Sequence, residues 1–171
     1  MAVNTGAFLH NTYNIAQSIG TDATNSDATL VIIGRENLHV KIKSFPDPTS
    51  LPAEPIVVPL PLGNETNKPG QAKTSFSGSA SFVETEDRVI ERTFTEIKFE
   101  TGGYFDAWLY HGTPDKFVNR KKLRNCFFAM GAPVQRDFQS NTEILLLEGD
   151  ITGNYFGEIE EGNVKTLMGG F

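Results

Sequence analysis

The chain is expected to be a mainly β protein: a small β-barrel or two-sheet sandwich with one short helix packed on it. Three observations point there. Residues 74–83 (TSFSGSASFV) alternate cleanly, with Phe76, Gly78, Ala80 and Phe82 on one face and Ser75, Ser77, Ser79 and Ser81 on the other. Several other runs of β-branched and aromatic residues are bounded by Gly, Pro and Asn turn chemistry. At 171 residues the chain sits in the single-domain range, and about 70% of its unfolded surface can be buried, enough for a self-sufficient core.

The elements follow in order. Residues 1–27 are polar and rich in Ala, Asn, Thr, Ser and Gly, with Phe8, Tyr13 and Ile15 as apolar anchors. They read as an N-terminal arm carrying one short helix, outside the core. Residues 28–34 (ATLVIIG) form a β-branched run closed by glycine, a buried strand. Residues 38–43 (LHVKIK) alternate, with Leu38, Val40 and Ile42 expected inward and His39, Lys41 and Lys43 outward. Residues 46–69 hold seven of the nine prolines and read as an extended loop, with at most an edge strand over 56–60. So long a loop in a small domain points to function or to ordering by a partner.

After the strand at 74–83, the polar turn Glu84-Thr85-Glu86-Asp87-Arg88 leads into residues 89–99 (VIERTFTEIKF), whose Val, Ile, Thr and Phe content predicts a second strand and hence a hairpin. Gly102-Gly103 breaks the pattern. Phe105, Trp108 and Leu109 stand at helical spacing, so residues 104–111 are expected to be the short helix, ended by Gly112. Thr113-Pro114-Asp115 reads as the cap and first turn of a second helical segment. Residues 123–130 and 142–156 are the last strands, the second with Ile151 and Tyr155 opposite Glu148, Asp150, Thr152 and Asn154. Residues 161–171 form a tail whose Val164, Leu167, Met168 and Phe171 stay exposed unless docked. The division is an arm (1–27), a β domain (28–160, with the loop 46–69) and a tail (161–171).

Composition and motifs exclude most enzyme classes. No run approaches a membrane-spanning length, and no secretory signal is visible at the N-terminus. The formal charge of −6 argues against a protein that grips nucleic acid over its whole surface, but not against one past which nucleic acid slides. The single cysteine, Cys126, excludes an intrachain disulfide and any multi-cysteine zinc site, and its apolar setting reads as core. His10, His39 and His111 lack the spacing of a helical zinc pair, so no metal or other cofactor is expected. No nucleophile elbow, phosphate loop or dinucleotide fingerprint is present. The acid pairs Glu84/Glu86 and Glu148/Asp150 sit two apart on one strand face rather than across a cleft. The serine ladder is either an ordinary solvent-facing strand or a hydroxyl-lined wall. The basic run Arg120-Lys121-Lys122-Leu123-Arg124 is either a solvated loop or a docking patch for an acidic neighbour.

The order of features resembles a known family. Residues 37–43 (NLHVKIK), a loop carrying Leu51-Pro52 and Pro59-Leu60-Pro61-Leu62, the strands at 74–83 and 89–99, a helix with Phe105 and Trp108, and the closing strands at 123–128 and 144–156 resemble bacteriophage tail tube proteins. The likeness is to the tube subunit of contractile tails and, more distantly, to the type VI secretion tube protein. It implies two packed sheets with a helix alongside, six subunits joined into a ring, and rings stacked as a hollow tube inside a sheath. Genome DNA would pass through the channel, the sheath and baseplate would be partners, and the virion would be the location. The resemblance implies no catalytic residues.

Polarity then selects candidate surfaces. A negative or hydroxyl-lined channel would not retain a polyanion, which makes Ser77, Ser79, Glu148, Asp150 and Thr152 the expected channel-facing residues. His39, Lys41 and Lys43 are expected outside the channel or in ion pairs. Assembly contacts are expected from Pro52, Pro59, Pro61, Arg120, Lys121, Lys122, Leu167 and Phe171. A monomeric β-sandwich binding module with Trp108 and Tyr110 as a platform is the alternative from another class; a different ring-forming virion part is a third. An enzyme using Cys126 is the most distant.

Overall fold

In a computed structural model, residues 6–52 and 54–164 are described. Nine strands, two α-helices and two 3₁₀ segments make up the described chain. The strands are β1 (Ala28–Ile32), β2 (Ile42–Ser44), β3 (Pro55–Pro59), β4 (Glu65–Pro69), β5 (Ser75–Val83), β6 (Phe105–Gly112), β7 (Phe117–Met130), β8 (Leu146–Asn154) and β9 (Ile159–Glu161). The helices are α1 (Gly6–Ile19) and α2 (Val89–Thr101).

Seven strands form one nearly closed, barrel-like sheet in the order β1-β6-β7-β8-β5-β2, with β9 added alongside β7. Every pairing is antiparallel. β7 is the pivot. Its first part pairs with β6 and β9, and its last part pairs with β8. The two ladders meet at a bulge, where three steps along β7 (Leu123 to Cys126) match two along β6 (Phe105 to Ala107). Asn125 takes the left-handed conformation there (φ 49), and its N–H, freed from the ladder, donates to Asp106 Oδ1 at 3.0 Å. An extra residue bends a strand and increases its twist, so one strand serves two sheet layers. At the other side, β1 and β2 end the strand order yet follow each other in the chain. The 3₁₀ segment Glu36–Lys41 carries the chain between them and puts Leu38 into the core.

The core fills the space between the layers: Leu30, Ile32, Ala80, Phe82, Ala107, Leu109, Leu123, Cys126, Leu147 and Ile151, with Ile90 and Ile97 of α2. Phe94 of α2 packs edge-on against Phe82 (5.1 Å) and beside Phe128 (5.0 Å).

The mainly β expectation holds, but four local readings are corrected. Residues 89–99 are helix, not strand. Ile90, Phe94 and Ile97 recur at helical spacing, and the helix N-terminus is capped from outside itself. Glu84 accepts the N–H groups of Ile90 (3.0 Å) and Glu91 (3.1 Å), and Thr85 Oγ1 accepts that of Val89 (3.1 Å). Gly102 ends it in the left-handed conformation (φ 72). Residues 104–111 are strand β6, with Phe105, Ala107 and Leu109 buried alternately, and Thr113-Pro114-Asp115 is the turn into β7 rather than a helix start. Residues 38–41 are 3₁₀ helix, not strand, and Val40 is exposed rather than inward. Finally, the Pro-rich stretch contains the expected strand over 56–60 and a partner that sequence reading missed, β4, which pairs with β3 as a separate two-stranded hairpin. The arm's helix, α1, is present and longer than a short turn, at 14 residues.

Candidate assembly surfaces

All five residues expected to face a channel lie on one face. β5 and β8 place Ser77 opposite Thr152 and Ser79 opposite Asp150, and Glu148 stands opposite Ser81. Directly opposed residues of an antiparallel pair share a side. Thr152 Oγ1 donates to Ser77 Oγ at 3.1 Å, and the Ser81 and Ser44 hydroxyls meet at 2.7 Å. Glu148 and Asp150 are exposed and make no ion pair among the described residues. The face continues onto β7 through Ala129 and Phe127, and the next cation in register, Arg124, is already engaged by Glu158. The surface thus presents hydroxyls and uncompensated carboxylates.

The basic run is not a loop. It is the middle of β7, and three of its cations are held within the chain. Arg120 donates to Glu160 at 2.6 and 2.8 Å and lies over the Trp108 ring at 3.9 Å from its centroid. Lys121 reaches Asp47 (2.7 Å) and the Pro48 carbonyl (3.0 Å). Arg124 clasps both carboxylate oxygens of Glu158, at 2.9 Å each. This pairing pulls the Glu158 carboxyl below its ordinary range. Lys122 sits over Trp108 at 4.5 Å. These contacts fasten the segment 158–161 onto β7. They also cover the aromatic platform: the faces of Trp108 are occupied and Tyr110 is buried.

The prolines expected at contacts are distributed along the projecting stretch. Pro52 bridges to Ala72, Pro59 closes the β3–β4 ladder opposite Glu65, and Pro61 opens the tight 3₁₀ turn at the hairpin tip. Ile56, Val57, Leu60 and Leu62 are exposed there, Leu62 at 102%. Leu167 and Phe171 lie outside the described residues. His39 Nδ1 is tied to the Glu36 carbonyl (2.7 Å), while Lys41 and Lys43 form no ion pair among the described residues.

Cys126 is fully enclosed, at 0% exposure. Burial, and secondarily the nearby Asp106 carboxylate, push its thiol up to about 12. It is therefore a neutral core thiol at physiological pH rather than a nucleophile.

Two further surfaces stand out, the first on the N-terminal arm that the sequence already marked as wanting a partner and the second unforeseen. The first is α1, none of whose residues is buried. Leu9, Tyr13, Ile15 and Ile19 fall on one side of the helical wheel, and His10, Asn11, Asn14, Gln17 and Ser18 on the other; that spacing was readable. The second is a groove of about 830 Å³ between α2, the end of β7 and the segment 134–147, floored by Phe94, Phe128 and Leu147 and walled by exposed Tyr104, Phe127 and Met130. It depends on α2 being a helix, so a strand reading hid it. Total accessible surface is 12933 Å². A compact monomer of this mass exposes about 8,300 Å², so the chain carries appendages that its own body does not cover.

No family model matches the chain, and no curated protein matches it significantly in sequence. Solved structures do match. A chain of the PVC sheath-tube complex of an extracellular contractile injection system, in its extended state, superposes with TM-score 0.59 at 12% identity, covering 86% of this chain and 97% of that one. A chain of the anti-feeding prophage cap, a tube-terminating cap, gives TM-score 0.56 at 13% identity over 82% and 92%. A chain of the PVC sheath/tube terminator gives 0.54 at 13% identity over 83% and 97%. The fold of this chain is thus the fold found in the tube and terminator assemblies of contractile injection systems, as its order of strands suggested.

Proposed function

We propose that the chain is a structural subunit of a phage-tail-like tube, assembling as rings, six copies to a ring, that stack around a channel. The observation that carries this is the fold match to the sheath-tube complex over nearly the whole of that chain. The exposed apolar residues of the hairpin, Ile56, Val57, Leu60 and Leu62, and of α1, Tyr13, Ile15 and Ile19, support it, because such patches mark interaction surfaces. In this reading the β5–β8 face, with Ser77, Ser79, Glu148, Asp150 and Thr152, lines the channel. Its hydroxyls and carboxylates give an anionic cargo such as genome DNA nothing to bind, and the chain charge of −6 is multiplied by the copy number. The hairpin with Pro52, Pro59 and Pro61 and the tail with Leu167 and Phe171 contact neighbouring copies. Arg120, Lys121 and Lys122 act indirectly, by holding the segment from which the tail departs and the loop at Asp47. Sheath and baseplate proteins are the outer partners and the virion tail is the location. No described helix is long and apolar enough to cross a membrane.

The likeness to two terminating structures favours a second reading, a terminal ring that closes a tube without stacking further. Electron microscopy of the purified chain separates the two. Stacked hollow tubes are expected; single rings would favour the terminal role. A monodisperse monomer by sedimentation at high concentration would overturn both. Assembled tubes of the Glu148→Lys/Asp150→Lys variant test the lining: cargo passage should slow, and unchanged passage would remove those residues from the channel.

A further inference from the structure

The uncharged α1 and the α2–β7 groove are both apolar, both open, and both unmatched within the described residues of one chain. A 14-residue helix is marginal in water without a packing surface. Ile19 is 83% exposed and Tyr13 62%, so the apolar side of α1 is formed but uncovered. The groove offers the complementary shape: an apolar floor on Phe94 and Phe128, with Tyr104, Phe127 and Met130 standing up as walls. Charge sets the direction. Two cations on the groove rim, Lys98 and Arg136, have no hydrogen bond or ion pair among the described residues. α1 has no basic residue in its last turn to offset its carbonyl end, and Asp22 follows three residues after Ile19 with its carboxylate also unpaired. Helix carbonyl ends and carboxylates both favour nearby cations.

We propose that α1 of one copy seats in the α2–β7 groove of a second copy, its Ile19 end and Asp22 directed at Lys98 and Arg136. This rests on the tube reading only in naming the partner as a second copy; the contact is a helix-in-groove interface between chains. It gives the arm a defined receptor.

The test is crosslinking between mixed variants with a short bismaleimide. Ile15→Cys and Met130→Cys are both exposed sites, so neither disturbs the core, and Cys126 is enclosed and does not compete. Differently tagged Ile15→Cys and Met130→Cys chains, mixed, should give a mixed-tag dimer at about tenfold the yield of the same-tag dimer formed by either variant alone. That yield should fall in Asp22→Lys and recover when Asp22→Lys is paired with Arg136→Glu in the partner. No mixed-tag product, or a double variant that links only within one chain, would overturn the proposal. Microscopy of the same samples separates the two readings. Rings without the crosslink would sink this contact and leave the tube standing. The crosslink without rings would do the reverse.

Discussion

Helix α2 is held in place by a residue that is not part of it, and removing that residue is the sharpest test of the local physics. The Glu84 carboxylate accepts the N–H groups of Ile90 and Glu91 at 3.0 and 3.1 Å, and also that of Thr85 at 2.9 Å. Glu84→Ala leaves two helix donors without their acceptor and removes a negative charge from the positive end of the helix. A lost cap costs about 1 kcal/mol, and the charge–dipole term adds about 0.5–1 kcal/mol. The sum is about 2 kcal/mol. For a chain of this length that corresponds to a drop of about 4–8 °C in Tm. Glu84→Gln keeps one oxygen acceptor and loses the charge, so it should fall near the midpoint. Urea unfolding followed by circular dichroism measures both variants. The α2–β7 groove should loosen with the helix, visible as faster hydrogen exchange at Ile90 and Glu91. A Glu84→Ala midpoint equal to that of the parent chain would refute the argument, because the two N–H groups would then be satisfied some other way.

Two other outcomes follow from close contacts. A Cβ at Gly153 would stand 2.5 Å from Cys126 Sγ and 3.2 Å from Phe76 Cζ. Gly153→Ala should therefore destabilise by about 1–3 kcal/mol, and Cys126→Ala in the same chain should recover part of that loss; strictly additive effects would show that the sulfur is not the obstacle. Glu158 is held below the ordinary carboxyl range, first by its hydrogen bonds from Arg124. Its contribution to holding the 158–161 segment is present above the unfolded carboxyl value and is lost as pH falls through the lowered folded one. An NMR titration of Glu158 should move upward in Arg124→Ala, and an unmoved midpoint would contradict the pairing.

Two of the misread elements lie between residues 84 and 116, and each carries two periodicities at once. VIERTFTEIKF is β-branched and aromatic, which favours strand, yet its Ile90, Phe94 and Ile97 line one helix face. YFDAWLYH sets Phe105, Trp108 and Leu109 at helical spacing, yet Phe105, Ala107 and Leu109 alternate inward. Tertiary context decided both. The cap on α2 comes from Glu84, six residues before Ile90, outside the spacing of a local capping box, so no short-range rule reveals it. The mainly β class survived because these two errors exchanged a strand for a helix in opposite directions, while the short strands β4 and β9 were missed outright. The channel-facing candidates needed only the period of two in 74–83 and 146–154, and that pattern was unambiguous. The groove needed the α2 assignment and was lost with it.

The bulge at Asn125 sets how the cation-bearing and acid-bearing stretches of the outer surface meet. Before it, β7 runs with β6, and outward positions stack cations on Trp108 while carboxylates of the segment 158–161 neutralise them. After it, β7 runs with β8, and the register sets hydroxyls against carboxylates with no neutralising partner among the described residues. An unbroken alternation would put Arg124 on the opposite face from Phe127 and Ala129; the bulge instead sets Arg124 against Asn154, in line with Thr152 and Asp150. The inserted residue breaks that alternation. It also aims Cys126 into the core, where Gly153 leaves room for its sulfur. Arg124 therefore sits on the acid-bearing face, and its clasp by Glu158 is what leaves Glu148 and Asp150 without a cation among the described residues.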